Sequence, residues 1–355
     1  MITKFNLNFI IHILGLPIIF INQTMNQVKT LTIFTLLLTS IACVTSSSSL
    51  VRLSSQYNVG DIYMQIRLQG TLELANTEFD GLRLTDLSGL AWDEDDKLLY
   101  AVADEGYLFH LQPIISDNIL TKVNVLAAYR LQNYQGKPLQ IKDAEGLAIL
   151  NGNNGIVGDG ELVISFERIP KIARFTPQAK LLSEYPLPAN LQNIASYYSS
   201  NKIFETVTVH PQFGILTIPE WPLKSKNVAY SLKKPYKHTL YAIDSSQKWT
   251  FPAYPIPNSA AVGLETLTDG SLLVLERAFV SPAQPLIVSL RQVWLTNCAI
   301  GDDCEVKQIA VFDNNWQIGN FEGLTYHKDN HFFMVSDDDD SNLQQTLLSY
   351  FEVMR

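Results

Sequence analysis

Acidic side chains recur along this chain at a spacing that could gather many carboxylates at one site. Short apolar segments open at Ser88, Glu145, Glu205, Glu265 and Glu322, which are 57, 60, 60 and 57 residues apart. A second apolar segment follows each opening and ends on another acid, namely Asp104, Glu167, Glu220, Glu276 or Asp337. Converging carboxylates can bind a hard cation, and they can also act as general acids and bases.

Metal binding is the first chemistry that this pattern predicts. The expected ligands are the oxygen atoms of the recurrent acids: Glu145, Glu205, Glu265, Glu322, Asp104 and Asp337. Ligand sets made only of oxygen favour hard cations, and Ca²⁺ is the cofactor that we expect. The alternative is architectural, because each glutamate could instead accept backbone N–H bonds that lock neighbouring repeats together.

Basic residues beside two of these acids could hold an anionic substrate. Arg168 follows Glu167, Arg277 follows Glu276, and Lys171 lies close after Arg168. The planar guanidinium fork suits a phosphate or a carboxylate, so we expect Arg168, Arg277 and Lys171 to bind substrate. Glu167 and Glu276 would then be the catalytic bases. Alternatively, each Glu-Arg pair is a structural ion pair.

The segments around the acids have the pattern of β-strands. Asp-Gly or Asp-Asn turns at Asp159, Asp269 and Asp329 precede apolar strands, which predicts a hairpin at the start of these repeats. Long repeats built from strands predict an all-β propeller of five four-stranded blades. The last repeat lacks a fourth strand, and Asp61–Leu74 is expected to supply it and to close the ring. A sixth blade within an insertion and two stacked sandwiches are the alternatives.

The hairpin geometry predicts where the acids lie. Because the two strands of a hairpin run antiparallel, the start of the first and the end of the second lie at the same end. The acids of all repeats should therefore ring one mouth of the central channel. Two long Pro-rich connections, Trp221–Lys237 and Ala278–Leu290, lead away from that same end. We expect the functional site there, since loops over a rigid scaffold commonly build one.

The N-terminus has the features of an export signal. Residues 25–43 combine one lysine, an apolar stretch and small residues before Cys43, so we expect a leader over 1–42, with Met25 as an alternative start. The ending S-I-A-C resembles a lipoprotein box and predicts lipidation of Cys43, a tether over 43–56 and a propeller domain over 57–355. The expected location is the periplasm or the outer membrane. An uncleaved N-terminal membrane anchor is the alternative.

Charge and cysteine content narrow the chemistry further. The net charge of −9 and the acidic runs disfavour nucleic acid as a partner, and we expect membrane contact through the lipid alone. Cys298 and Cys304 lie six residues apart, and in an exported chain they are expected to form a disulfide.

An ordered series of short motifs resembles a known bacterial family. The series comprises S-G-L-A at Ser88, D-A-E-G-L-A at Asp143, F-E-R-x-P at Phe166, G-L-E-x-L at Gly263, L-E-R-x-F at Leu275 and F-E-G-L at Phe321. Together they resemble the phytase-like esterases, over about residues 80–355. The resemblance implies hydrolysis of phosphoesters or carboxyl esters. The third repeat departs from the pattern, since Glu205 is followed by Thr-Val where the other motifs have Gly-Leu.

Two functions of different classes fit these observations. The first is an exported, lipid-anchored phosphoesterase that uses a metal ion at the acidic mouth to hydrolyse a small anionic ester. The second is a non-catalytic envelope propeller that binds a ligand or a protein partner through its loop face.

Overall fold

The computed structural model describes residues 48–74, 78–140, 142–224, 236–279, 286–298, 303–338 and 345–354. Over these residues the chain forms five antiparallel sheets of at least four strands, arranged as blades. The predicted all-β propeller with five blades is therefore confirmed.

Within blades one to four, consecutive strands of the chain are neighbours in the sheet. The strands of the described residues, numbered along the chain, are β1 (Ser48–Leu50), β2 (Ile62–Tyr63), β3 (Ile66–Leu74), β4 (Glu78–Phe79), β5 (Leu82–Arg83), β6 (Leu87–Asp93), β7 (Leu98–Ala103), β8 (Tyr107–Ser116), β9 (Ile119–Arg130), β10 (Ala144–Leu150), β11 (Glu161–Phe166), β12 (Lys171–Phe175), β13 (Leu181–Glu184), β14 (Thr208–His210), β15 (Gly214–Thr217), β16 (Lys237–Ala242), β17 (Lys248–Pro252), β18 (Ser259–Thr266), β19 (Leu272–Ala278), β20 (Ile287–Trp294), β21 (Glu305–Phe312), β22 (Asn320–Tyr326), β23 (His331–Asp337) and β24 (Leu347–Val353). Blade one is β6 to β9, blade two β10 to β13, blade three β14 to β17 and blade four β18 to β21.

Blade five combines both ends of the described chain. Its inner strands are β22, β23 and β24, and β3 from the N-terminal region pairs antiparallel with β24 as the fourth strand. This is the pairing that the sequence predicted for Asp61–Leu74, although the regular strand begins only at Ile66. That β3 is what keeps the ring closed stays a prediction.

The hydrophobic core is divided into five clusters, each between two neighbouring blades. Blade one packs on blade two through Val102 and Ile164, for example, and blade four packs on blade five through Leu275 and Met334. A further cluster joins blade five to blade one. The strands need apolar side chains on both faces, which explains their nearly continuous hydrophobic sequences.

Part of the segment predicted to be a tether belongs to the fold instead. β1 pairs antiparallel with β3 and adds a fifth strand to blade five, and Leu53 is buried in the core. The predicted leader and its lipidation site at Cys43 lie outside the described residues.

Helices are short and peripheral in the described ranges. They comprise α1 (Ala189–Gln192) and two 3₁₀ turns, Ile194–Ser196 and Leu295–Asn297. Among these residues no helix is long and apolar enough to cross a membrane. The second 3₁₀ turn leads into the disulfide between Cys298 and Cys304, which confirms the predicted bridge.

Candidate functional site: an acidic channel mouth

A break in strand register marks the opening position of four of the first strands. The pairing of β6, β10, β18 and β22 with their partners shifts at Ser88, at Glu145, at Val262 and at Glu322, respectively. A β-bulge inserts an extra residue and re-aims its side chain. In blade three Glu205 takes the corresponding place just before β14.

The closing positions are also equivalent between blades. The backbone N–H groups of Asp104, Glu167 and Glu220 donate to the carbonyl oxygens of Asp86, Asp143 and Ile203, at 3.1, 3.1 and 3.0 Å. In blade four the same position pairs Ala260 with Arg277, and in blade five it pairs Asn320 with Asp337. Every blade except the fourth therefore brings an acid to the closing position.

In blade four, the positions that the sequence predicted for two glutamates are wrong. Glu265 was expected to open this repeat, but Val262 holds that position, and Glu265 lies near the far end of β18, where it accepts hydrogen bonds from Thr325 and Tyr326. Glu276 was expected to close it, but Arg277 does so. Because side chains alternate along a strand, the one-residue difference turns Glu276 away from the mouth.

Glu276 belongs to a buried polar network instead. Its carboxylate accepts hydrogen bonds from His238 at 2.9 Å, from Arg291 at 2.9 Å and from the backbone of Tyr254 at 2.7 Å. Although burial opposes ionisation, His238 and the other donors lower the pKa of Glu276. Glu276, which the sequence predicted to be a catalytic base, is therefore a buried anion paired with His238 and Arg291 and turned away from the mouth.

The structure gathers most of the other predicted acids at one place. Glu145, Glu205 and Glu322 form one group of three carboxylates, and Glu167, Glu205 and Glu220 form a second, with the ligand oxygens of each group within 4.8 Å of one another. All five of these glutamates are buried, and Glu205 belongs to both groups. We call these five residues together with Asp104 the acidic centre. Asp337 lies beside it, in a third group with Asp86 and Asp338.

Burial and mutual repulsion make the acidic centre unusually easy to protonate. Burial raises the pKa of Asp104 to about 7, of Glu220 to about 7 and of Glu167 to about 10, and neighbouring carboxylates add to each shift. Burial also raises the pKa values of Glu145 and Glu322. Without a cation, several of these groups hold protons at neutral pH.

Comparison with known proteins identifies the family. The sequence model of the phytase-like family, described as esterase-like activity of phytase, matches residues 83–340. The chain belongs to the phytase-like family. No curated protein matches it.

Two solved structures align with this phytase-like chain at low identity. The PQQ-bound aldose sugar dehydrogenase of Streptomyces coelicolor is 10% identical, with a TM-score of 0.41 over 81% of this chain and 97% of that one. A gluconolactonase from Xanthomonas campestris is 13% identical, with a TM-score of 0.37 over 85% of this chain and 100% of that one.

Two cations compensate one side of the acidic centre of this phytase-like protein. Arg277 donates to Glu322 and to Asn320, and its other terminal nitrogen lies 3.3 Å from Glu220. Lys202 Nζ lies 2.8 Å from Glu220 as well. Sequence reasoning missed Lys202, because it lies in the irregular connection before blade three, outside every repeat motif.

The other two predicted basic residues lie away from these contacts. Arg168 forms an ion pair with Asp143, and its side chain is 61% exposed. Lys171 begins β12, and its Nζ lies over the ring of Phe166, 3.8 Å from the centroid. Only Arg277 of the three has a recorded contact with the acidic centre within the described ranges.

The acidic centre fits a hard cation by charge and by chemistry. It combines six carboxylates with two neighbouring basic side chains, Lys202 and Arg277. Glu167, only 4% exposed, has one carboxylate oxygen that is buried without a hydrogen-bond partner in the described part of the chain. Burial without a donor disfavours the ionised form of this carboxyl group, and a cation bound beside it would favour that form.

Ser88 shows how blade one differs from its neighbours. It occupies the opening position, where blades two, three and five carry glutamate, and its hydroxyl donates a hydrogen bond to Asp104. Blade one therefore brings a hydroxyl group, and not a carboxylate, to the mouth at this position. The centre is thus asymmetric, with Ser88 and Asp104 on one side and the Arg277 pair on the other.

Proposed function

We propose that this phytase-like protein hydrolyses ester bonds at the acidic centre, with small phosphoesters as its expected substrates and Ca²⁺ as its cofactor. The observation that carries the proposal is the convergence of two carboxylate triads on Glu205, beside a single arginine in the ring. A site built only for inter-blade contacts would not need Glu167 to be buried beside Glu205 with one oxygen that accepts no donor in the described part of the chain.

The residues that would hold Ca²⁺ are Glu145, Glu205 and Glu322. Their oxygens already converge, and Glu205 connects them with the second triad. Bound Ca²⁺ would supply a Lewis acid that polarises the ester and stabilises negative charge in the transition state. Glu220 of the second triad is paired with both Lys202 and Arg277, whereas the first triad has one such partner, Arg277 at Glu322, and this favours the first triad as the cation site.

Proton transfer falls to Glu167 and Asp104. Burial raises the pKa of Glu167 to about 10 when no cation is bound, so Glu167 is the carboxyl group of the centre that would hold a proton and donate it to the leaving alcohol. Asp104, with its pKa raised to about 7 and a hydrogen bond from Ser88, can accept a proton from an attacking water. This assignment reverses the role that the sequence predicted for Glu167, because burial favours its neutral form.

Arg277 would orient the substrate anion. Its guanidinium is fixed by Asn320, Glu220 and Glu322, so the direction of its fork is set before a substrate arrives. Fixed donors need no reorganisation during the reaction, which is the main source of electrostatic catalysis.

A second function is favoured by these same contacts. The ion pairs of Arg277 link residues of three blades and occupy several of its donors. A non-catalytic envelope propeller, in which the acidic centre is architecture and the loop face binds a ligand or protein, would use Arg277 in this way.

An ester screen separates the two functions. Purified protein is assayed against 4-nitrophenyl phosphate, phytate and short 4-nitrophenyl acyl esters, with Ca²⁺ and with EDTA. The proposal expects turnover of at least one ester that EDTA abolishes and Ca²⁺ restores. Glu265→Gln is the matched control, since it removes a glutamate outside the acidic centre, and it should retain this activity. Absence of all turnover would leave the binding function.

We also propose that the protein is exported and anchored by lipid at Cys43 in the periplasm or the outer membrane. The disulfide between Cys298 and Cys304 supports an oxidising compartment. Fractionation of cells that express the wild type or Cys43→Ala tests the anchor. Cys43→Ala should leave the membrane fraction or fail to mature, whereas unchanged membrane association would favour an uncleaved anchor.

A further inference from the structure

A cavity beside the acidic centre has a lining that differs from the centre itself. It has a volume of about 500 Å³ and lies where residues of blades three, four and five meet. Two cationic side chains, Lys202 and Arg277, line it together with one acid, Glu220. Elsewhere the mouth is dominated by carboxylates, so this cavity is the part of the mouth best suited to an anion.

Aromatic and amide groups complete the lining. Trp221 and Phe279 contribute flat apolar surface, and Phe279 is 51% exposed although it is a large aromatic residue. Asn258 and Asn320 add polar edges. Lys202 Nζ lies 5.6 Å from the centroid of the Trp221 ring, so the cationic and aromatic surfaces are contiguous. An aromatic side chain half exposed at a cavity rim is typical of a ligand contact.

We infer that this cavity binds the organic part of the substrate, and that the preferred substrate class is a phosphate ester of a flat aromatic alcohol. The single phosphate would lie near Arg277 and Lys202, and the ring would pack between Trp221 and Phe279. The inference rests on the proposed function for its choice of a phosphate ester, but the binding that it predicts can be measured without turnover.

The charge of the mouth argues against a polyphosphorylated substrate such as phytate. The two cations of the cavity are paired with Glu220 and Glu322, so they can hold one phosphate better than several, and the carboxylates that a single Ca²⁺ leaves uncompensated would repel phosphates that extend beyond the cavity. A ligand with one anionic group and an apolar ring avoids that repulsion.

Equilibrium binding of two phosphonates, which resist hydrolysis, tests the inference. Phenylphosphonate and methylphosphonate carry the same anion and differ in the ring. Isothermal titration calorimetry should give phenylphosphonate an affinity at least about fivefold higher than methylphosphonate, as expected for an aromatic contact. Phytate should bind less tightly than phenylphosphonate.

Substitutions at the cavity rim make the test specific. Phe279→Ala should remove most of the preference for the phenyl ring, and it should fold because the side chain is exposed. Trp221→Leu should have the same effect. Tyr134→Ala, which removes another exposed aromatic residue, is the matched control and should leave both affinities unchanged.

The outcomes distinguish this inference from the proposed function. Equal affinities for the two phosphonates, an unchanged preference in Phe279→Ala, or tighter binding of phytate would each overturn the inference, even if esters are hydrolysed. Ring-selective binding without hydrolysis of any ester would support the inference and contradict the proposed function.

Discussion

Arg277 of blade four donates a hydrogen bond to Glu322 of blade five, across the boundary between the two sheets. Arg277 is the one basic residue among the five closing positions, and Glu322 is one of three opening glutamates that converge in the acidic centre. The pair thus links two neighbouring blades and also places a cation at the acidic centre. It compensates one buried carboxylate while leaving the others in excess, and this excess is the property on which the proposed metal binding depends.

Removal of the Arg277 charge should destabilise the protein strongly. Arg277→Gln leaves Glu322 buried without its cation, which typically costs about 3–5 kcal/mol. Urea unfolding followed by circular dichroism measures the loss. Arg277→Lys should lose less stability, because it keeps a charge, but it should lose turnover, because an ammonium group lacks the planar fork.

The matched control for this prediction is Arg67→Gln. Arg67 pairs with Glu352 at 3.3 Å on the partly exposed outer strands of blade five, where an ion pair contributes about 0–1 kcal/mol. If Arg277→Gln were no more destabilising than Arg67→Gln, Arg277 would not be compensating a buried charge.

Stability should fall as the pH rises when no cation is present. The pKa of Asp104 is raised from 3.8 to about 7 and that of Glu220 from 4.5 to about 7, so the folded state binds these protons more tightly than the unfolded state. The stability that these two groups contribute is fully present below about pH 4 and is lost as the pH rises to about 7. Because the pKa of Glu167 is raised to about 10, its contribution to stability is lost at higher pH, toward about 10.

Chemical unfolding in EDTA at pH 5 and pH 8 measures this effect. The free energy of unfolding should be lower at pH 8, by on the order of a few kcal/mol, and Glu167→Gln should reduce the difference. Glu276 has the opposite effect on stability: because its pKa is lowered, it stabilises the folded protein at neutral pH and loses this contribution when acid protonates it. Greater stability at pH 8 than at pH 5 in EDTA would contradict the raised pKa values.

Close packing of the inner strands should make one glycine intolerant of substitution. A Cβ atom on Gly263 would lie 2.6 Å from the carbonyl oxygen of Glu322 in the next blade. Gly263→Ala should therefore cost about 1–3 kcal/mol in unfolding free energy, because backbone atoms must move. Gly155→Ala is the control, since nothing lies within 4 Å of its added methyl group. It should lose less stability, through its positive φ of 85° alone; equal losses in the two variants would contradict the close packing.

The N-terminal strand β3 should hold the ring closed. Deletion of residues 61–74 would expose the edge of β24, whose buried side chains include Leu348 and Phe351. Exposed apolar edges aggregate, so the variant should elute as large aggregates on size-exclusion chromatography. Deletion of β1 alone removes only the outermost strand and should leave a monodisperse protein. A soluble, stable protein without residues 61–74 would show that closure depends on other contacts.

The sequence predicted the fold well because its signals are local. The hairpin turns and apolar runs predict the strands and the period, and the turns expected at Asp159, Asp269 and Asp329 lie directly before β11, β19 and β23. The short strand β1 was missed, because three residues of the type Ser-Ser-Leu have no periodicity that distinguishes them from a polar tether.

The candidate site was predicted less well, because it depends on register. Glu265 was aligned on its charge, whereas the Gly-Leu pair at Gly263 would have aligned blade four correctly with the motifs that follow Ser88, Glu145 and Glu322. Glu276 was also aligned on its charge, one residue before Arg277, which holds the closing position. Lys202 carries no repeat signal at all, and only the folded chain brings it to Glu220.

The most direct test of the account is the thermal stability of the protein as a function of Ca²⁺ concentration. A ligand that binds only the folded state stabilises it by mass action, by about 2.7 kcal/mol when its concentration is a hundred times the Kd. We predict that the Tm of the EDTA-treated wild type rises steadily with Ca²⁺. The rise should vanish in Glu205→Gln, which removes the carboxylate shared by both triads, and persist in Glu265→Gln. A wild-type Tm that does not respond to Ca²⁺, or an equal response in Glu205→Gln, would contradict a metal site in the acidic centre.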